Sequence, residues 1–317
     1  MTPVIETAAL SKMYGSTAAL KGLNLRIERG EIFGLIGPNG AGKTTTMRLL
    51  LDLIRPSSGH VRVFGQEPRA GGKSLRARLA FLPGELKLAS MTTGRDLLSF
   101  YARLAGDTPA SVYEGLAERL GLDLTMRVGT LSKGNKQKLG LVQAFMRPAE
   151  LLILDEPTSG LDPVMQREFL ELVREARAAG RTVLLSSHVL SEIQQVAGRV
   201  GILRRGELVT LESVASLRAG APRRVRLSAE AAELPQLRTA LEALPGISGI
   251  DTQPASAEGT GDVIARYAGP PAPLLALVSS LPITDLVLAE PDLEEAVLAH
   301  YSSSSSGTAT PDGRQET

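Results

Sequence analysis

The chain has 317 residues, 43% of them hydrophobic and 22% charged, which is enough apolar side chain for a sizeable buried core and too much length for one small domain. With no cysteine it has no disulfide framework, thiolate nucleophile or zinc–thiolate site. Without tryptophan, and with aromatics at only 3%, it has little material for a base-stacking surface that would bind single-stranded nucleic acid. The net charge of +1 divides unevenly: residues 1–220 hold 29 basic and 21 acidic groups and residues 221–317 hold 6 and 13, so the two parts differ electrostatically.

Met1–Leu10 lacks a basic segment followed by an apolar stretch, and no run of about 18 apolar residues occurs, so any membrane contact is expected through a partner. The absence of cysteine suits a reducing compartment.

In chain order, Ile32–Ile36 is a short β-like run that ends in the glycine-rich segment Gly37–Gly42. Lys43–Leu53 then has helical spacing and stops before Arg55 and Pro56, because proline disfavours helical geometry in the residue before it. Further on, the apolar runs Leu151–Leu154 and Thr182–Ser186 flank the helical stretch Pro163–Ala179, which Gly180 stops. That βαβ pattern predicts a parallel sheet. Leu217–Pro222 (LRAGAP) reads as a linker, and beyond it lysine disappears. Strands are expected at Val225–Leu227, Ile247–Asp251, Val263–Tyr267 and Thr284–Leu288, with helices near Pro235–Leu244 and Pro273–Leu281, giving a small α+β sandwich. From Ser302 the serine run and polar end cannot bury enough apolar area to offset chain entropy, so disorder is expected there.

The residues Gly37, Pro38, Asn39, Gly40, Ala41, Gly42, Lys43 and Thr44, followed by Thr45, match the P-loop pattern, in which backbone amides and a helix amino terminus hold phosphate oxygens. Lys43 is placed to reach the β- and γ-phosphates and Thr44 to ligate magnesium. This motif alone does not separate kinases, GTPases and motor ATPases. At the end of an apolar strand, LLILDE supplies Asp155 for magnesium and Glu156 to polarise an attacking water. Upstream, LSKGNKQK would by itself read as a capped, lysine-rich surface helix.

Its Leu131, Ser132, Lys133, Gly134 and Asn135 resemble the LSGGQ signature of the ABC family, with Lys133 and Asn135 departing from it. In the order P-loop, signature, carboxylate strand, the chain is identified as similar to ABC transporter ATP-binding subunits over most of residues 10–205. The resemblance implies an α/β P-loop fold with a mixed sheet core over residues 1–218, a helical signature subdomain at about 86–148, a small α+β accessory domain at 223–301 and a disordered tail at 302–317. It further implies ATP and Mg2+ as cofactors. Tyr14 would stack on adenine, Ser159, Gly160, Leu161 and Asp162 would form the D-loop, and His188 would be the switch histidine, though Tyr14 also suits a half-buried surface position and Asp162 a helix cap. After Phe81, Leu82 and Pro83 the expected Q-loop glutamine is missing, and Glu85 is its candidate substitute near the metal.

The partners implied are a second copy or a paralogous cassette, arranged head to tail, and a separate multi-spanning permease holding the chain at the cytoplasmic face of the plasma membrane. Leu82–Glu85 (LPGE), SKGNKQK and the segment Pro291–Tyr301 (PDLEEAVLAHY) resemble the bacterial branch that exports drugs, antibiotics or polysaccharides, which favours export over import. The alternatives are an importer subunit, a soluble ATPase of ribosomes or nucleic acid, and a switch that scarcely hydrolyses. No heptad insertion separates Lys43 from Asp155 and only one cassette is present, so no specific nucleic acid is expected, while Glu156 and His188 argue for turnover.

Overall fold

The structure is a computed structural model that describes residues 3–88, 91–104, 106, 108–220, 222–254 and 259–289. Contacts divide the chain into Met1–Val214 and Ala215–Thr317.

In the first unit, β1 (Ile5–Tyr14) and β2 (Thr17–Ile27) pair antiparallel with register shifts after Thr7, Leu10 and Lys12, so buried and exposed residues do not alternate cleanly along them. β3 (Ile32–Ile36) is buried at all five positions, as a central parallel strand covered on both faces must be. α1 (Lys43–Leu50) ends earlier than its spacing predicts. The chain turns at Asp52, whose φ is +56°, and the Leu53 amide donates to the Arg48 carbonyl at 2.9 Å while that of Asp52 donates to Leu49 at 3.2 Å. This paired closure satisfies the last carbonyls before Pro56 is reached.

β4 (Ser58–Val63) completes a three-stranded antiparallel sheet of order β2-β1-β4. α2 (Pro68–Ala77) and β5 (Leu79–Leu82) follow, then the helices α3 (Gly94–Leu104), α4 (Ala110–Arg119) and α5 (Lys133–Phe145). Arg95 of α3 pairs with Glu114 of α4. The rest of the unit is β6 (Leu151–Asp155), α6 (Pro163–Ala178), β7 (Thr182–Ser187), the single turn α7 (Leu190–Ile193), β8 (Arg199–Arg204) and β9 (Glu207–Ser213). The larger sheet runs β5-β6-β7-β3-β8-β9, parallel except for β9, which makes it mixed, as expected. Met47, Leu49 and Leu50 of α1 join Phe33, Leu151, Ile153 and Leu184 of this sheet and Ile5, Leu25 and Ile27 of the other in one buried cluster. Each such side chain contributes roughly 1.5–3 kcal/mol by leaving water.

The segment predicted to be a linker is mostly helix: α8 (Val214–Gly220) runs through Leu217, because its alanine, leucine and arginine residues have high helix propensity and only Gly220 breaks it. The division between the units accordingly falls before Leu217, not after it.

In the second unit β10 (Arg223–Glu230), α9 (Leu234–Glu242), β11 (Ile247–Gln253), β12 (Thr260–Tyr267), α10 (Pro271–Val278) and β13 (Asp285–Ala289) form a β-α-β-β-α-β sequence. Its sheet, order β11-β12-β10-β13, is antiparallel throughout, the split-βαβ arrangement. Val225, Leu227 and Ala229 pack with Leu237, Leu241, Val263 and Leu274, and the buried Tyr267 hydroxyl donates to the Pro270 carbonyl at 2.8 Å. Pro291–Tyr301 and the serine-rich end lie outside the described residues.

Candidate active site

β3, β6 and β7 lie side by side and in parallel, so the loops leaving their carboxyl ends converge. Ligands bind at such an edge because three loops and a helix amino terminus meet there. The loop after β3 is Gly37–Gly42. Gly42 has φ +110°, and a Cβ there would sit 2.7 Å from the Ala19 carbonyl oxygen, so both backbone and space require glycine. Residues Pro38–Thr45 line a cradle of about 260 Å³ together with Ala19 and Glu156.

Lys43, only 6% exposed, donates from Nζ to the Gly37 carbonyl at 2.6 Å and lies 3.1 Å from Glu156 Oε1. That carboxylate oxygen is buried without an aligned hydrogen bond, so the pair is electrostatic. Glu156 Oε2 is 2.7 Å from His188 Nδ1. A carboxylate can only accept, so Nδ1 carries the hydrogen and Nε2 is the ring nitrogen left for another partner. Asp155, 2% exposed at the end of β6, accepts from the Thr44 hydroxyl at 2.7 Å and from the Ser186 hydroxyl at 2.6 Å. The Ser186 oxygen in turn accepts the Glu156 amide at 3.0 Å.

The backbone of Glu156 is left-handed, φ +47°, a conformation that costs a non-glycine residue about 1–3 kcal/mol and persists only where its surroundings impose it. The bend turns the chain so that consecutive carboxylates serve different partners, Asp155 the hydroxyls of Thr44 and Ser186 and Glu156 the Lys43 ammonium and the His188 ring.

A larger cleft of about 680 Å³ is lined by Asn39, Thr44, Asp155, Glu156, Ser159 and His188 together with Phe81, Pro83, Gly84 and Glu85. Five sequence candidates from four separate segments (Thr44, Glu85, Asp155 with Glu156, and His188) thus meet at one opening. Glu85 is exposed, and Gly84 comes against Asp155, a Cβ there falling 3.4 Å from Asp155 Oδ2. Tyr14, 47% exposed at the end of β1, lines neither cavity and has Lys12 Nζ 5.1 Å from its ring centre.

Leu131–Asn135 also line neither cavity. Ser132 caps α5, accepting the Asn135 amide at 3.2 Å. Gly134 lies against the loop after β6, since a Cβ there would come 2.7 Å from the Gly160 carbonyl oxygen. In that loop Leu161 is buried, and Asp162 caps α6 by accepting the amides of Val164 and Met165 at 2.9 and 3.0 Å. The bonds from Met165 and then Val164 hold the Asp162 carboxyl below the usual carboxylate range.

Sequence reasoning missed three participants. Ser186 bridges Asp155 and Glu156. Glu192 accepts the hydroxyls of Thr158 at 2.6 Å and Ser187 at 3.3 Å, tying the loop after β6 to the one that carries His188. Gln137, 4% exposed, donates to the Pro157 carbonyl at 2.8 Å and the Glu156 carbonyl at 3.4 Å. A signal existed for Gln137: it stands three residues after Gly134, on the same side of α5.

The ABC transporter family matches residues 20–159. The bacitracin transport ATP-binding protein BcrA of Bacillus licheniformis is 39% identical over 212 residues, spanning 66% of this chain and 69% of its own. The daunorubicin/doxorubicin resistance ATP-binding protein DrrA of Streptomyces peucetius is 36% identical over 213 residues, spanning 66% and 64%. A solved ATP-binding subunit of an ABC transporter, 31% identical, superposes over 68% of this chain and 92% of its own with a TM-score of 0.63. A P-loop and paired carboxylates on two strands of one sheet, a histidine on the second carboxylate and these relatives lead to one conclusion: the chain belongs to the ABC transporter family, among its ATP-binding subunits.

Proposed function

We propose that the chain hydrolyses ATP to ADP and phosphate to drive export of a solute through a separate membrane permease. The observation that carries this is the pair of contacts that ties the P-loop to the carboxylate strand, Lys43 with Glu156, which also meets His188, and Thr44 with Asp155. Lys43 and the amides of residues 39–45 bind phosphate oxygens and stabilise the charge that develops during transfer. Glu156 orients the attacking water, and His188, steadied by Glu156, presents Nε2 toward the γ-phosphate. Thr44 and Asp155 offer hydroxyl and carboxylate oxygens, a donor set suited to magnesium, which takes few protein ligands beside phosphates. A magnesium ion held there would neutralise charge on the phosphate oxygens.

Ser132 and Gly134 start α5 away from the cradle of their own chain, so the reading has them grip the nucleotide of a second cassette packed head to tail, with Ser159–Asp162 at the same junction. The first unit then forms the ATPase domain, with its helical subdomain at about 86–148, and the second an accessory domain. Tyr14 is assigned to adenine, and Glu85 to the place of the missing glutamine. Among the described residues no helix is long and apolar enough to cross a membrane. Attachment at the cytoplasmic face is therefore assigned to the permease, and export, not import, follows the bacitracin and daunorubicin/doxorubicin proteins, named for transport and resistance.

Glu156→Gln is the test: nucleotide binding persists while steady-state phosphate release falls at least about a hundredfold. Parent-level release would remove Glu156 from the chemistry. A multi-spanning protein is expected to co-purify with the tagged chain from its host's membranes in the presence of ATP, and ribosomal or DNA-associated partners instead would overturn the transport reading.

A further inference from the structure

Two peptide groups flank the strained residue Glu156, and each is pinned from a different element. Its N–H is held by Ser186 of β7 at 3.0 Å. Its carbonyl, which accepts the Ser159 amide at 3.1 Å, also faces, with that of Pro157, the side-chain amide of Gln137, which belongs to α5. Two carbonyl oxygens can be met only by the NH2 end of that amide, so the network fixes which way it points. Gln137 is almost wholly buried, and an apolar side chain of its size would leave the Pro157 carbonyl in the interior facing no donor. Gly134, nearly one turn earlier on α5, presses against Gly160 of the same loop. The first turns of α5 therefore rest on the loop that begins with Glu156.

We propose that Gln137 is a positioning residue for hydrolysis: by donating to the carbonyls of Glu156 and Pro157 it holds Glu156 in its left-handed turn, with the carboxylate between Lys43 and His188, and so ties the placement of that carboxylate to the start of α5. The inference rests on the assignment of Glu156 as the residue that orients water. Because Gln137 touches neither Lys43 nor the Pro38–Thr45 cradle, its loss acts on turnover and leaves nucleotide binding alone.

The experiment compares steady-state phosphate release by the full chain for parent, Gln137→Met, Gln137→Glu and Glu156→Gln, with ATP affinity measured on the same samples to report folding. Gln137→Met removes both donors at similar volume and lowers kcat about tenfold or more with KM for ATP within about twofold. Gln137→Glu sets a carboxyl against two carbonyl oxygens. Ionised it repels them and protonated it donates to one, so its kcat relative to parent recovers as pH falls from about 8 to about 6, while that of Gln137→Met does not. A merely structural contact would give both variants the same pH-independent loss, and that result overturns the inference, as does parent-level kcat for Gln137→Met. If neither variant folds, Gln137→Asn, which keeps the donor one methylene short, must show the same selective fall in kcat. Should Glu156→Gln also turn over at the parent rate, the catalytic assignment itself fails; loss there with full activity in the Gln137 variants sinks only the present inference.

Discussion

The two units use the same materials to different ends. Among the described residues, every non-glycine residue with positive φ (Ala9, Asp52, Phe64, Glu156 and Arg205) lies in the first unit, and so does every buried polar or charged side chain, including Lys43, Gln137, Asp155 and Ser186. Among the described residues of the second unit the buried side chains are aliphatic apart from Tyr267, and β10 pairs with both neighbours without a register shift. Strain and buried charge are thus gathered in the unit that holds the cleft. The other unit has the economy of a fold under no such demand.

The largest expected effect that tests this contrast is chemical. Lys43→Ala should lower kcat/KM for ATP by about a hundredfold or more, the scale for removing a donor aimed at developing charge, and leave unfolding of the second unit where it was. A loss below tenfold would mean that the buried ammonium is mainly structural.

The next effect is mechanical. Leu227→Ala, at a fully buried position of β10, should destabilise the second unit by about 2–5 kcal/mol while ATP binding by the full chain persists, as followed by thermal unfolding with and without nucleotide. Loss of ATP binding in step with that unit would erase the distinction drawn here.

The smallest effect is electrostatic. Glu150, at the entrance to β6, accepts from Arg78 and from Arg29, and those bonds, with that of Arg78 foremost, pull its pKa from 4.5 to about 2. A depressed carboxyl stabilises the fold above its ordinary titration range and loses that contribution as pH falls through the window from 4.5 to about 2. Solvent at this 39% exposed side chain limits the contribution to about 1 kcal/mol or less, so parent and Glu150→Gln should differ near neutrality and converge in acid.

Sequence reading reached much of this, for physical reasons. β3 and β6 were legible because a strand covered on both faces must be apolar throughout, and the P-loop because its glycines answer a steric demand visible in the sequence. The four strands and two helices described in the second unit were foreseen, β10 and β12 because buried and exposed residues alternate along them and the helices because a proline leads each. β1 and β2 were not, as three register shifts erase their period of two. α1 ran shorter than its spacing because a backbone closure at Asp52, with no side-chain signature, ended it. At the site, residues whose chemistry is intrinsic were found, whereas Ser186, Glu192 and Gln137 were missed because their importance lies in what the fold sets opposite them.

The left-handed turn at Glu156 has a further consequence for how the chain can vary. Glycine alone adopts that conformation freely, so at position 156 the residue that would best relieve the backbone has no carboxylate to offer. Variants selected only for thermal robustness would drift toward glycine there and fall silent, so durability and turnover are opposed at a single codon.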